Sequence, residues 1–285
     1  MLSSSWPYLS LFRDHPFVED GEQEAATVTA LPIGLSGVLF VVVLPALAIG
    51  AQLLIRRSWP ALADGEHNDV AGFIIAVVGV IYAVLLAFVV IVSWEDFSKA
   101  ESTVGQEASA LRSIYRESQA FPPDVREHIR ADVLRYASTA IDVEWPAMAA
   151  GKPGSPEVYR VLDDMSQSLA QLPANTPVQQ AYLGAEADRF NQLVGFRSER
   201  LDYVEKGVPD VLWIALGVGA VVTIGFAMIF GLRSTMLHVI MTASLSAVIG
   251  VLLFVSVAID HPFEGDVVVD PAPLERVISD FRNAP

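Results

Sequence analysis

The sequence predicts an all-α integral membrane protein, with four transmembrane helices in two pairs and a helical-bundle domain inserted between the second and third. Two observations carry this. Leu31–Ile55, Val70–Trp94, Val211–Gly231 and Met236–Ile259 hold hardly an ionisable side chain, and each reaches the roughly 20 residues that cross hydrocarbon as a helix. Between the pairs, Glu95–Asp210 is polar, and its apolar residues recur at helical spacing. The expected division is a tail at 1–30, spans one and two in 31–94, the bundle at 95–209, spans three and four in 210–260, and a tail at 261–285. An even number of spans puts both tails and the bundle on one side of the membrane.

Composition supports segregation of apolar from charged residues. The chain is 53% hydrophobic yet has a formal net charge of −15, so acids gather in the aqueous parts. Such a polyanion is a poor nucleic-acid ligand. Cysteine is absent, which removes disulfides, thiolate catalysis and cysteine-based metal sites.

The first span contains Ala46-Leu47-Ala48, which looks like a signal-peptide cleavage site. Asp14, Glu19, Asp20, Glu22 and Glu24 precede it where a signal carries positive charge, and apolar residues continue to Ile55, so a retained span is expected.

In the second span Gly72, Ala76, Gly79, Ala83 and Ala87 recur at spacings of four and three and form one stripe of small residues. Small stripes let membrane helices approach closely. Equally, such a stripe could face the axis of a symmetric oligomer and leave room for ions, and the sequence keeps both readings open. The fourth span carries Thr242, Ser244, Ser246 and Ser256, hydroxyls that ordinarily bond their own backbone or a neighbouring helix. Asp260 ends that span within reach of headgroup water. No Lys, Arg, Asp or Glu lies at mid-membrane, which argues against a transporter built on buried carboxylates.

Charges at the span ends are asymmetric. Glu95, Asp96, Asp210 and Asp260 lie on the bundle side and would form an acidic collar at a pore mouth, or simply a solvated anionic surface. Arg56, Arg57 and Arg233 lie opposite, and counted over short loops they put the bundle on the non-cytoplasmic side of the cell membrane.

The bundle reads as four helices. The second span runs without a breaker to about Ser118. Phe121-Pro122-Pro123 then starts a helix that carries Ile129, Val133, Tyr136 and Trp145 and ends near Pro146. Ser155-Pro156-Glu157 has the cap and first-turn chemistry of a third, reaching about Gln171. A last helix runs from Val178 to about Lys206, its stripe of Leu183, Ala187, Phe190, Val194, Leu201 and Val204 interrupted by Arg197. Arg197 and Arg200 are expected to pair with Glu101 or Glu107 of the facing helix, at about 1 kcal/mol or less if exposed, or to hold an anion or headgroup. Asp163, Asp164 and Glu144 read as solvated. Beyond Asp260 the tail turns sharply and ends in a small helix, Leu274–Phe281.

Catalytic chemistry has little to stand on. Glu66-His67-Asn68-Asp69 is the one dense polar cluster, without the spacing or third ligand of a metal site, and reads as a cap for the second span. No phosphate loop, nucleophile elbow or zincin pattern occurs. No catalytic residue, metal or cofactor is expected.

His67-Asn-Asp-Val-Ala-Gly72, Tyr82 to Phe88, Trp94-Glu95, Glu107-Ala108 with Leu111, Glu144-Trp145-Pro146, Arg197 and Arg200 with Leu201, Pro209 to Trp213, and Asp260-His-Pro-Phe-Glu-Gly265 together resemble the bestrophin-like family of bacterial and plant membrane proteins. The resemblance covers about residues 30–270. It implies a distant likeness to bestrophins, pentameric ion channels with four spans and a helical domain inserted after the second, which they keep in the cytoplasm. The expected function is a homo-oligomeric ion channel or channel-like protein in the lipid bilayer, handling inorganic ions with its second span nearest the axis. The alternative is a non-conducting scaffold or sensor that binds partners through the bundle.

Overall fold

The computed structural model describes residues 33–60, 65, 68–172 and 175–282, and the regular structure among them is helical throughout. The N-terminal tail with Glu24, the Glu66–His67 pair and part of the 173–177 turn lie outside the described residues. Among the described residues, four helices are long and apolar enough to cross a membrane: Gly34–Ser58, Asn68–Ala120, Asp210–Ile229 and Thr235–Ala258.

Helix α1 (33–58) runs as Ile33–Val38, opens into a π turn at Leu39–Val43 and continues as Leu44–Ser58. The wider turn lies two residues ahead of Pro45, which has no N–H to donate and whose ring crowds the carbonyl four residues back. Helix α2 (Asn68–Glu117) is a single 50-residue rod, roughly 75 Å at 1.5 Å per residue. A 3₁₀ turn, Ser118–Ala120, ends it before Pro122-Pro123 starts α3 (123–149).

Helix α3 does not stop near Pro146 as expected. It passes through a π turn at Ala140–Glu144 and ends at Ala149. The same device as in α1, a π turn two residues before a proline, carries the helix past its own breaker.

Helix α4 (Pro156–Ala170) begins at the expected Ser155 cap, and α5 (Pro177–Glu205) begins one residue before the expected start, at a Thr176 cap. Ser155 Oγ accepts from Val158 N at 3.3 Å. Thr176 Oγ1 accepts from Gln179 N at 3.1 Å while Gln179 Oε1 accepts from Thr176 N at 3.3 Å, a reciprocal capping box. Helices α6 (Asp210–Ile229), α7 (Thr235–Ala258) and α8 (Ala272–Arg282) complete the chain.

Helices α2 and α5 are antiparallel neighbours, since Glu107 meets Arg200 and Glu117 meets Arg189. With α3, α4 and α8 they enclose a core that includes Leu111, Ile114, Val133, Tyr136, Leu193 and Leu274. In the apolar half, α2 packs on α6 and α1 on α7 around Tyr82, Leu86, Val89, Leu216, Ile224 and Leu253. A seam of Ala100, Val104, Met148, Leu201, Val204, Phe263 and Val269 joins the two cores, and α2 runs through all three. The tail turns at Gly265 (φ 86), where Val269 N donates to Pro262 O at 2.7 Å and Trp145 Nε1 donates to Val269 O at 3.3 Å.

Candidate functional site

Helix α2 presents one unbroken exposed line. Phe73, Val77, Val80, Val84, Phe88 and Ile91 are exposed at spacings of four and three. In the same register follow Glu95, Ser98 and Ser102, with Ser109 two turns further on, all exposed. The line is apolar along the membrane and changes to an acid and hydroxyls where the apolar stretch ends.

The small-residue stripe lies at the edge of that line. Gly72 and Gly79 are half-buried, and a Cβ on Gly72 would meet the ring of Phe230, just past the end of α6, at 3.7 Å, so this end borders the chain's own core. Ala76, Ala83 and Ala87 lie further along the same edge. All three are exposed.

The four acids of the collar part company. Glu95 is exposed and pairs with exposed Lys99 at 3.3 Å. Asp96 is half-buried, and Asp210 is exposed in the first turn of α6, where the helix dipole favours negative charge. Asp260, expected at headgroup water, is instead buried. Its Oδ1 accepts from Val208 N at 2.8 Å and its Oδ2 lies 3.3 Å from His261 Nδ1, so it ties the α5–α6 linker to the end of α7. Gly207 permits that approach, because a Cβ there would lie 3.0 Å from His261 Nε2. Burial raises the Asp260 pKa, opposed by the Val208 N–H and His261 and reinforced by Asp96.

Arg197 and Arg200 are not surface residues. Arg200 is fully buried, donating through Nε to Glu107 Oε2 at 2.6 Å and through Nη2 to Glu107 Oε1 at 3.1 Å and Glu144 Oε2 at 2.8 Å. Arg197 donates through Nε to Glu144 Oε2 at 3.2 Å and through Nη2 to Glu144 Oε1 at 2.5 Å. Tyr136 OH donates to Glu107 Oε1 at 2.6 Å, and Ser155 N donates to Glu144 Oε1 at 3.2 Å. Trp145 and Tyr159 offer their ring faces to Arg200 and Arg197 at 4.7 and 4.1 Å. The expected pairing with Glu107 is present, whereas Glu101 stays exposed. Glu144, read as solvated, is fully buried and bridges both arginines.

The quartet has equal numbers of opposite charges, and its electrostatics follow from that. Burial alone would lower the Arg200 pKa, but Glu107 and Glu144 outweigh it and hold the guanidinium charged. Burial and Glu107 push Tyr136 well upward, so it remains a neutral donor. The Nε and Nη2 groups of both arginines are thus engaged by Glu107 and Glu144 inside the fold, which makes the quartet a structural network. Sequence reasoning misses Glu144 and Tyr136 as members of it. Pro146 reads as a break in the sequence, and the π turn that carries the helix past it ends at Glu144.

Asn68 also differs from its expected capping role. Its Nδ2 donates to Gly231 O at 2.8 Å and its Oδ1 accepts from Gly231 N at 2.9 Å, clamping the start of α2 to the end of α6.

Fold and site together define a multi-pass, all-α membrane protein whose second span continues as one rod into a polar core locked by buried charge. The family model described as the Bestrophin-like domain matches residues 42–274, and the chain belongs to that family. Among solved structures it is similar to a bacterial bestrophin homologue from Klebsiella pneumoniae carrying a mutation, at 17% identity and TM-score 0.60 over 88% of this chain and 99% of that one. A second mutated form of the homologue gives 14% identity and TM-score 0.61 over the same shares. A structure of the homologue phased with zinc gives 15% and 0.59 over 87% and 97%. At these identities the likeness establishes the fold. Comparison with curated proteins gives no match.

Proposed function

We propose that the chain is the subunit of a homo-oligomeric ion channel, with α2 nearest the axis and the polar helices standing outside the membrane as a vestibule-forming bundle. The supporting observation is the exposed line of α2. In a lone chain the Phe73–Ile91 segment is unpartnered, and around an axis it makes an apolar constriction of the kind that gates by dewetting. The Glu95–Ser109 segment then lines a polar antechamber. Inorganic ions would be concentrated there by Glu95, Asp96 and Asp210, while buried Asp260 contributes mainly by holding the linker in place. The oligomer expected from family resemblance is a pentamer, which native mass in mild detergent tests.

The small-residue edge of Ala76, Ala83 and Ala87 is read as the contact between neighbouring copies of α2. Ala83→Phe separates this from a pore-lining role, since a packing contact predicts loss of the oligomer and a pore contact predicts an intact oligomer without flux. Purified protein in liposomes tests conduction itself. Folded, oligomeric protein that passes no ion under any gradient or potential sinks the channel reading and leaves the scaffold or sensor.

The arginine count favours a bundle on the non-cytoplasmic side. Since the chain has no cysteine, Asp163→Cys gives a single reporter on the exposed side of α4. Labelling of whole cells by an impermeant thiol reagent supports that side, and labelling only after lysis reverses it.

A further inference from the structure

Gln52 on α1 is fully buried, and neither its Nε2 nor its Oε1 has a hydrogen-bonding partner among the described residues. Thr223 on α6, Thr242 on α7 and Tyr82 on α2 are buried as well, and their hydroxyls likewise lack a partner there. Each of the four membrane helices thus contributes a group of this kind.

Register brings them to one depth. Arg56 Nη1 lies 3.1 Å from His238 Nδ1, and a Cβ on Gly250 would strike Phe40 and Leu44, so α1 and α7 run antiparallel with Gln52 opposite Thr242. His238 Nε2 lies 3.0 Å from Ala227 O, and one turn further Thr242 stands opposite Thr223. The Tyr82 ring packs where Gly219 has no side chain, one turn from Thr223. A helical side chain leans towards its own N-terminus, which on α2 is the direction of the Gln52 layer.

The other buried hydroxyls along α7 are already committed. Ser246 and Ser256 bond back to the carbonyls of Thr242 and Leu252 at 2.7 and 2.9 Å, whereas the two threonines make no such bond. Buried polar atoms without partners are costly in protein interiors and more so in hydrocarbon. A small amide and three hydroxyls each donate and accept, as water does, and none of them carries a charge to balance an ion in hydrocarbon. Arg56, one turn from Gln52, already donates through Nη1 to Leu232 O at 2.8 Å.

We propose that this layer is a binding site for internal water. Roughly one or two molecules, each making about three hydrogen bonds, are held among Gln52, Thr223, Thr242 and Tyr82 in the chain's own four-helix core. The Arg56–His238 contact closes the site on the side of the short loops. The site is separate from any axis along α2, so conduction can fail while the water remains.

The test is a structure of the full chain in lipid nanodiscs at a resolution that shows solvent, for the wild type and for the triple variant Gln52→Leu, Thr223→Val, Thr242→Val. The expected result is density at about 2.7–3.2 Å from the Gln52 amide and a threonine hydroxyl, lost in the triple variant. Direct bonding of the Gln52 amide to a backbone carbonyl, or a lipid chain in the layer, overturns the proposal. Thermal unfolding is the second readout. Gln52→Leu alone strands the threonine hydroxyls and lowers the midpoint, and adding the two valines recovers part of that loss. Purely additive losses would count against a shared water site.

Discussion

Two buried polar clusters, one in each half of the molecule, solve the same problem in opposite ways. In the bundle, Arg197, Arg200, Glu107 and Glu144 are charged, and the protein itself satisfies their forks and carboxylates at 2.5 to 3.2 Å. In the membrane half, Gln52, Thr223, Thr242 and Tyr82 are neutral, and the described residues leave them without partners. The difference follows from solvent. Packed helices surrounded by water can close a neutral ion network and exclude water from it, whereas hydrocarbon makes ions too expensive and favours amides and hydroxyls that can share a guest.

The largest effect is expected at the bridge of the saturated cluster. Glu144→Ala leaves two buried guanidinium groups with one carboxylate, and breaking a buried pair from one side costs about 3–5 kcal/mol. Denaturant or thermal unfolding of the variant should show that loss or outright failure to fold. Replacing all four ionised residues with apolar side chains of similar volume should cost far less. A mild effect of Glu144→Ala would mean that the quartet opens to water and is not the closed network its distances describe.

Helix contact in the membrane half gives the next effect. A Cβ on Gly250 would overlap Phe40 O, and a backbone atom cannot rotate away as a side chain can. Gly250→Ala must therefore push α1 off α7, an overpacking cost of about 1–3 kcal/mol that detergent-solubilised unfolding can measure. Gly50→Ala is the control, since nothing lies within 4 Å of a Cβ there.

Another buried acid tests the rule that the bundle saturates its charges, because it breaks it. Glu186 on α5 is fully buried, and neither of its oxygens has a partner among the described residues. Burial with the Glu117 charge pushes its pKa from 4.5 up to about 8. The folded state therefore holds a proton that the unfolded state has released, so stability falls as pH rises from about 4.5 to about 8 and levels off above. Arg189 approaches Glu117 at 3.5 Å, and Arg126 and Arg130 flank the same end of the bundle through Phe121 and Ser118. Glu186→Gln should flatten the dependence of melting temperature on pH across that window. An unchanged slope would assign the dependence to other groups.

Much of the fold is legible because hydrophobic period and punctuation agree. The apolar runs mark the four spans, Ser155 marks a helix start, and the lack of a breaker after Trp94 marks α2 as one rod. Neither π turn is legible, since Pro45 and Pro146 signal a break and a π turn converts that break into a continuation. The site is harder to read for a related reason. Charge in a sequence looks solvated by default, so Glu144 and Asp260 read as lying at water, although a partner 53 or 52 residues away buries each of them. Gln52 gives no signal at all, being a single amide among leucines and isoleucines.

The smallest effect on stability belongs to the collar. Glu95 and Lys99 are more than half exposed and form an i,i+4 pair on α2, worth about 0.3–0.5 kcal/mol, so Lys99→Ala should leave unfolding almost unchanged. Its effect on ions should be larger, because removing the cation beside Glu95 strengthens the negative field at the point where the exposed line of α2 changes from apolar to polar. In liposomes at low salt the variant should shift the cation-to-anion permeability ratio towards cations, and the shift should shrink as ionic strength rises and the Debye length falls below about 10 Å. A stability loss without any change in permeability would make the pair a helix staple and remove the collar from the conduction path, leaving the α2 line to be judged on Phe73 to Ile91 alone.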